Sequence, residues 1–189
     1  EQMIQDWMFN LWTTVDGSPD TIIDNNVTGM DGCAMFWNLD PGYYAVQELP
    51  PNCWENTTPT IQGIEVTAGT TSELWFGNYE LGSLTVYKYY DVDYDGIYNN
   101  NDFMYSDGWT FDLRDDEMNT IDTQMTDENG EYTWECLEPG TYYLYEYWKS
   151  GWGNSTPSVQ EITVTDGEES EVWFGNFELG NIKVSKFND

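Results

Sequence analysis

The chain has 189 residues, of which 35 are acidic and five are basic, so its formal net charge is −30. This charge argues against nucleic acid and anionic membrane surfaces as partners, because both would repel the protein. No apolar run approaches the about 18 residues that a membrane span requires. The charge favours cations, calcium above all, although an acidic surface is equally typical of proteins adapted to high salt. An aromatic content of 17% can still supply large buried cores.

The sequence repeats itself. The segment WENTTP at residues 54–59 returns as WGNSTP at residues 152–157, and WFGNYELG at residues 75–82 returns as WFGNFELG at residues 173–180. Both pairs are offset by 98 positions (152 − 54 and 173 − 75). A period of this length indicates two domains of roughly 100 residues, a usual domain size.

A third repeated segment predicts how the domains are joined. Residues 84–91 (LTVYKYYD) return as residues 182–189 (IKVSKFND), and no copy precedes the first domain. We therefore expect a β-sandwich repeat at 1–80 without its first strand, a complete repeat at 81–180, and a first strand at 181–189 donated to a neighbour. The alternative is a tandem array in which a preceding repeat completes the first domain in cis.

Strand signals dominate the whole chain. Short alternating runs rich in aromatic and β-branched residues are separated by turn residues, as at Asp40-Pro-Gly42 and Asp127-Glu-Asn-Gly130. No segment has a sustained period of 3.6 residues. The pattern predicts an all-β protein of two tandem antiparallel β-sandwich domains with an immunoglobulin-like architecture and an orphan C-terminal donor strand.

Three cysteines are too few for a disulfide scaffold. Cys33 and Cys53 both lie in domain 1 and are the candidate pair, which would leave Cys136 unpaired. The corresponding positions of domain 2 hold Glu131 and Gly151. The pairing therefore stays an open alternative.

Three asparagines lie in the pattern Asn-X-Ser/Thr that accepts N-linked glycans in secreted proteins. They are candidate glycosylation sites, although this pattern also arises often by chance: Asn26, Asn56 and Asn154.

The most specific motif follows the first strand of domain 2. Residues 91–102 (DVDYDGIYNNND) match the calcium-loop pattern D-x-D-x-D-G followed by five residues and an acid, with Asp where Glu is usual. Alternate carboxylates converge on one hard cation, and the glycine allows the sharp turn. The alternative is an acidic surface turn without a metal. The predicted calcium ligands are Asp91, Asp93, Asp95, the Ile97 carbonyl, Asn99 and Asp102.

Strand periodicity places one polar side chain on each of three apolar faces in domain 2. Side chains two positions apart share a face of a strand. Lys88 therefore shares a face with Leu84 and Val86. Glu146 and Asn176 likewise share a face with apolar side chains on two later strands. The equivalent residues for domain 1 are Glu48, Asn78 and, from the donor segment, Lys186.

In the second sequence repeat, residues 126–146 read TDENGEYTWECLEPGTYYLYE. This segment resembles the B-type repeats of the collagen adhesin Cna and the related SdrD B-like repeats. The resemblance extends over nearly the whole chain, twice. It implies prealbumin-like β-sandwich modules of an extracellular stalk, fibre or adhesin rather than an enzyme. In SdrD B-like repeats a calcium loop follows the first strand, which is where residues 91–102 lie.

The resemblance also implies a role for the three polar residues. In Cna B-type domains a lysine, a glutamate and an asparagine form an intramolecular isopeptide bond, in which the buried amine attacks the asparagine amide and ammonia leaves. The candidates are Lys88 and Asn176 with Glu146, and, between subunits, Lys186 and Asn78 with Glu48. The alternative is an ion pair at the sandwich rim with an asparagine capping a turn.

A stripe of three tyrosines, Tyr143, Tyr145 and Tyr147, is predicted on the opposite face of the strand at residues 142–148. It suits a subunit interface or a carbohydrate-binding platform. The expected function is a calcium-stabilised structural unit of an extracellular fibre, sheath or cell-surface adhesin, with copies of itself as partners. The alternatives are a carbohydrate- or ligand-binding module that uses exposed aromatics, and an accessory domain of a secreted enzyme.

Overall fold

A computed structural model describes residues 3–188, and within that range every regular element is a β-strand. Among these residues there is no helix of the length and apolarity that crossing a membrane requires. The chain divides into two compact units, Glu1–Glu80 and Leu81–Asp189. The all-β fold class predicted from the strand signals is confirmed.

Among its described residues, unit 1 contains six strands in two sheets. A four-stranded antiparallel sheet has the order β2-β1-β3-β5, and a two-stranded sheet pairs β4 with β6. The strands are β1 (Met8–Val15), β2 (Ser18–Val27), β3 (Gly42–Leu49), β4 (Trp54–Asn56), β5 (Ile61–Val66) and β6 (Asn78–Glu80). Asp16 and Gly17 join β1 to β2 with φ angles of 50° and 80°, the two positive values that a tight hairpin turn requires.

Over residues 81–188, unit 2 contains nine strands in a sandwich. One sheet has the order β10-β9-β12-β14, and the facing sheet has the order β11-β7-β15-β13, with β8 also paired to β7. The strands are β7 (Gly82–Tyr90), β8 (Phe103–Met104), β9 (Thr110–Arg114), β10 (Thr120–Met125), β11 (Glu131–Leu137), β12 (Gly140–Glu146), β13 (Trp152–Asn154), β14 (Val159–Val164) and β15 (Glu169–Glu178).

The core of unit 2 follows from strand alternation. Leu84 and Val86 of β7, Leu144 of β12 and Phe174 of β15 are all fully buried. Phe174 packs on Phe111 of β9 with ring centroids 4.9 Å apart, so aromatic side chains join the two sheets. These residues lie on the faces that the alternation predicts.

One strand pair departs from the predicted antiparallel pattern. β15 runs parallel to β7, with Phe174 opposite Lys88 and Asn176 opposite Tyr90. Because the two strands run in the same direction, their C-terminal ends lie side by side. The parallel pairing therefore brings Lys88 and Asn176 together although they are 88 positions apart.

Unit 1 has no counterpart of β7 among its described residues. In unit 2, β7 lies between β11 and β15. The corresponding segments of unit 1, residues 33–39 and 71–77, form no strand. Residues 181–188, the described part of the predicted donor segment, also form no strand and are exposed throughout. Asp189, the last residue of that segment, lies outside the described residues.

The predicted Cys33–Cys53 disulfide is wrong. Cys33 is a free, exposed thiol. Sequence spacing favoured two cysteines of the same repeat, but pairing depends on which Cβ atoms approach within about 4–5 Å in the folded chain.

Candidate functional site

The centre of unit 2 holds a lysine that is completely buried. Lys88 Nζ donates hydrogen bonds to Asn176 Oδ1 at 2.5 Å and to the Phe174 carbonyl at 3.0 Å. It lies 3.3 Å from Glu146 Oε1, and both side chains are fully shielded from water. The structure therefore brings together the three polar residues that the strand pattern placed on apolar faces.

Burial shifts both ionisable groups of this cluster toward neutrality. Desolvation lowers the pKa of the Lys88 ammonium from 10.5 to about 8, against the opposing effect of the Glu146 charge. Desolvation likewise raises the pKa of the Glu146 carboxyl from 4.5 to about 7. The pKa shifts therefore favour an uncharged amine and a protonated acid, and the amine nitrogen lies 2.5 Å from Asn176 Oδ1.

Two further residues complete the cluster, and sequence reasoning missed their role. Asn154 Nδ2 donates a short hydrogen bond to Glu146 Oε2. The Trp109 ring lies under Lys88, with Nζ 4.5 Å from the ring centroid, a cation–π distance. The repeated W-x-N motif contained the signal for Asn154, because its asparagine recurs at Asn56.

Unit 1 contains the same site without its lysine. Glu48 is 1% exposed and accepts a 2.5 Å hydrogen bond from Asn56 Nδ2. Three buried polar atoms have no hydrogen-bond partner: Trp7 Nε1, Glu48 Oε2 and Asn78 Nδ2. Burial raises the pKa of Glu48, although the amides of Asn56 and Asn78 and the Trp7 indole lie close enough to oppose that shift.

The predicted calcium loop is partly assembled. Carboxylate oxygens of Asp91, Asp93 and Asp95 all lie within 4.8 Å of one another. Gly96 has a φ of 75°, and a Cβ there would lie 2.8 Å from the Ser155 carbonyl oxygen, so only glycine fits. Buried Asp91 accepts backbone hydrogen bonds from Tyr94 at 2.7 Å and Gly96 at 2.8 Å.

The remaining predicted ligands shape the loop. Asp102 accepts the backbone N–H groups of Val92 at 2.9 Å and Asn99 at 2.8 Å, one on each carboxylate oxygen. Asn99 Nδ2 donates to Asp93 at 3.3 Å and to the Ile97 carbonyl at 3.2 Å. These contacts join both ends of the loop.

The asparagines of the three glycosylation patterns have their side-chain amides engaged within the fold. Asn56 and Asn154 hydrogen-bond to the buried glutamates, and Asn26 Nδ2 donates to the Met35 carbonyl at 2.8 Å. A glycan on any of these nitrogens would replace its hydrogen bond. This geometry weighs against the three predicted sites.

Each tyrosine side chain of the stripe contacts a residue on a neighbouring strand of the same sheet. Tyr143 donates to Glu161 at 2.9 Å, the Arg114 guanidinium lies 4.6 Å from the Tyr145 ring centroid, and Tyr147 donates to Asp112 at 3.3 Å. All three side chains therefore have partners within unit 2.

Several known proteins are similar to this chain or to part of it. Residues 106–178 match the family model described as SpaA, prealbumin-like fold domain. Over these residues unit 2 is similar to a prealbumin-like domain. The serine-aspartate repeat-containing protein F of Staphylococcus epidermidis is 26% identical over 183 residues, covering 88% of this chain. A fibrinogen-binding protein of the same species is 33% identical over 94 residues, covering 50% of this chain. The chain spans about a tenth of the length of these relatives, 11% and 8% respectively.

Solved structures similar to this chain include pilins. The minor pilin GBS52 of Streptococcus agalactiae has a TM-score of 0.44 and 16% identity, covering 98% of this chain and 88% of the pilin. The shaft pilin SpaA of Lactobacillus rhamnosus GG has a TM-score of 0.41 and 11% identity, covering 95% and 90%. The matches to the family model and to the serine-aspartate repeat-containing protein support the predicted extracellular or cell-surface location.

Proposed function

We propose that this chain is a structural repeat unit of an extracellular fibre, sheath or surface adhesin whose copies are joined head to tail by strand complementation. The observation that carries the proposal is the open strand position in unit 1. Residues 33–39 and 71–77 correspond to the two neighbours of β7 in unit 2, yet neither forms a strand. A sheet position with unpaired backbone groups accepts an added strand.

The segment beside the open position is already held in place. In unit 2, β15 is tethered at two points: Gln160 Nε2 donates to the Trp173 carbonyl, and the Gly175 N–H donates to Thr156. In unit 1 the same tethers link Gln62 to the Trp75 carbonyl at 2.9 Å and the Gly77 N–H to Thr58 at 3.0 Å. The position therefore needs little reordering to accept a strand, which reduces the entropic cost of docking.

Residues 181–188 have the composition of the missing strand. Ile182 and Val184 are 94% and 87% exposed, whereas their counterparts Leu84 and Val86 in β7 are fully buried. On a neighbouring copy, the register of unit 2 places Val184 beside Leu74 and Lys186 beside Phe76. Docking would bury these apolar side chains and complete the second sheet of unit 1.

Removing residues 181–188 is expected to abolish assembly. The full chain should form head-to-tail oligomers or filaments, visible by electron microscopy and by light scattering after size-exclusion chromatography. The truncated chain should be monomeric, because it retains the acceptor position but has no donor strand. A matched control replaces Ile182, Val184 and Phe187 with serine, keeping the length and both lysines, and should also be monomeric.

Two results would contradict strand complementation. Filaments formed by the truncated chain would show that another surface joins the copies. A full-length chain that stays monomeric and binds glycans would favour the alternative of a carbohydrate-binding module, for which the side chain of Trp148, 69% exposed, is an available contact.

The second part of the proposal is that calcium stabilises unit 2 by binding the loop at residues 91–102. Three carboxylates within 4.8 Å of one another repel each other unless a cation lies between them. Burial by itself raises the pKa of Asp91, but hydrogen bonds from Ser155 and from loop amides hold that pKa below its ordinary value. The anchor carboxylate is therefore ionised at neutral pH.

Calcium is expected to raise the melting temperature of unit 2, and a chelator should reverse the shift. A calcium concentration of 100 times Kd stabilises the folded state by about 2.7 kcal/mol. Asp93→Asn should weaken the calcium response roughly tenfold in concentration, because it removes one charged ligand from an otherwise unaltered loop. Asp116→Asn, at an exposed turn outside the loop, is the matched control for the general effect of charge.

Thermal unfolding at increasing calcium, with magnesium in parallel, distinguishes a specific site from screening of the net charge of −30. If both variants and the parent respond alike, or if magnesium acts equally well at the same concentration, the loop is an acidic turn and not a calcium site.

The third part is that Lys88 and Asn176 join through an isopeptide bond with Glu146 as the acid. The contacts of 2.5 Å and 3.3 Å around Lys88 Nζ, its complete burial and the shifted pKa values support this chemistry. It is a single-turnover self-modification, not an enzymatic activity on a substrate. The bond would tie the first strand of unit 2 to the last, which suits a protein that carries tension along a fibre.

A further inference from the structure

We propose that unit 1 forms a covalent amide bond between its own Asn78 and Lys186 of a second copy, whose residues 181–188 occupy the open strand position. This inference rests on the strand complementation proposed above and adds a chemical bond to it. The proposed partner is a second copy of this chain, and the modified residues are Asn78 on the acceptor and Lys186 on the donor.

Unit 2 supplies the geometric template. Each residue of the proposed site has a counterpart in unit 2 at an offset of 98 positions. Lys186 corresponds to Lys88, Glu48 to Glu146 and Asn78 to Asn176 (186 − 88, 146 − 48 and 176 − 78). A strand that repeats the register of β7 and β15 would put Lys186 opposite Phe76, just as Lys88 lies opposite Phe174. Its amine would then be placed as Lys88 Nζ is, 2.5 Å from the asparagine oxygen.

Unit 1 has polar groups that lack a partner where this amine would arrive. Glu48 is 1% exposed and Trp7 is 5% exposed, and no hydrogen bond of standard geometry is formed by Glu48 Oε2, Trp7 Nε1 or Asn78 Nδ2, although the indole and the amide lie close enough to the carboxyl to lower its pKa. Burying polar atoms without well-formed hydrogen bonds costs free energy. In unit 2 the space beside the equivalent glutamate and tryptophan is filled by a lysine amine.

The backbone fold of unit 1 is shaped around the same position. The Glu48 N–H donates to the Thr60 carbonyl at 2.9 Å, as the Glu146 N–H donates to the Ser158 carbonyl at 2.8 Å. Phe9 packs on Phe76 with ring centroids 5.0 Å apart, as Phe111 packs on Phe174. The acceptor site is therefore built into unit 1 although its lysine is not part of that unit.

Charge favours the donor segment over other segments of the chain. Residues 181–188 carry two of the five basic residues, Lys183 and Lys186, in a protein of net charge −30. Attraction to an acidic acceptor speeds docking and favours this segment over acidic strands. Lys183 and Lys186 are three positions apart, so they point to opposite faces of the docked strand, and only Lys186 faces Glu48.

The reaction needs no other reactant. The neutral Lys186 amine attacks Asn78 Cγ, forming the new C–N bond, while protonated Glu48 hydrogen-bonds to Oδ1. The bond from Cγ to Nδ2 then breaks, and Nδ2 leaves with a proton that derives from the amine and passes through the Glu48 carboxyl. One amine and one primary amide become one secondary amide and one ammonia, with no change in oxidation state. Burial raises the pKa of Glu48, which favours the protonated acid.

Two full-length variants, each with half of the site, test the bond. Lys186→Met keeps the acceptor Asn78, and Asn78→Ala keeps the donor Lys186. On a denaturing gel the parent chain should give a ladder of covalent oligomers, and neither variant alone should give one. The two variants mixed should give a covalent dimer only. Lys183→Met, at the lysine on the other face of the same segment, should give the same ladder as the parent.

Mass spectrometry of the dimer should find a branched peptide that joins Lys186 to Asn78 and is about 17 Da lighter than the sum of its parts. Assemblies that separate into unmodified monomers under denaturing conditions would overturn the covalent bond but leave strand complementation intact. A parent chain that does not assemble at all would overturn both. A monomer linked to its own Asn78 would overturn the second copy as partner.

Discussion

Replacing Lys88 with methionine is expected to lower the free energy of unfolding of unit 2 by about 4–5 kcal/mol, the cost of losing a cross-link that closes a loop of about 90 residues. For a domain of this size such a loss lowers the melting temperature by about 20 °C or more. Methionine fills most of the space of the lysine stem, so the change removes the bond rather than the packing. The measurements are thermal unfolding and intact mass.

The mass gives the control for this experiment. The parent should be about 17 Da lighter than its sequence for each bond within a chain, and the Lys88→Met variant should match its own sequence. Lys149→Met changes a lysine with a 39% exposed side chain in the same unit and should keep both the mass loss and most of the stability. A parent chain of unshifted mass would remove the isopeptide proposal for unit 2 and leave Lys88 and Glu146 as a buried ion pair.

Replacing Glu146 with glutamine is expected to slow bond formation about 100-fold to 10,000-fold, the range that a well-placed general acid contributes. Glutamine keeps the shape of the side chain but has no proton to transfer. Glu161→Gln, an exposed carboxylate on β14 that only accepts a hydrogen bond from Tyr143, should react at the parent rate. The rate is measured by intact mass after newly synthesised, unreacted chain is transferred from denaturant to folding buffer.

The pH dependence of the same reaction follows from the two shifted groups. Lys88, with its pKa lowered to about 8, must lose its proton, and Glu146, with its pKa raised to about 7, must keep one. The rate should therefore peak near pH 7.5 and fall about tenfold per pH unit below pH 7 and above pH 8. A rate that rises steadily to pH 10 would show that only the lysine has to change its charge state.

The faces of the strands could be read from the sequence because the signal is local. A strand alternates its side chains with a period of two, so Leu84, Val86 and Lys88 had to share a face whatever they packed against. All three are fully buried. The same rule correctly placed Glu146 and Asn176 with apolar neighbours, and a repeated lysine, glutamate or asparagine on an apolar face is a strong sign of a special site.

Hydrogen-bond partners could not be read in this way. Asn56 and Asn154 match a glycosylation pattern in sequence, but in the fold their amides bind Glu48 and Glu146. The glycosylation pattern describes three neighbouring residues, whereas the hydrogen bonds join β4 to β3 in unit 1 and β13 to β12 in unit 2. The Trp109 ring under Lys88 is a contact of the same kind, since nothing near residue 109 in the sequence points to a lysine.

The sequence by itself determined the repeat, the all-β class, the apolar faces and the acidic loop, because each depends on residues that are neighbours along the chain or on comparison of one copy with the other. Only the tertiary structure decided that Cys33 stays free, that β15 lies parallel to β7, and that unit 1 holds buried polar atoms beside an open strand position. These features depend on where distant segments meet in space, and the free energy of packing the whole sandwich sets that, not any local preference.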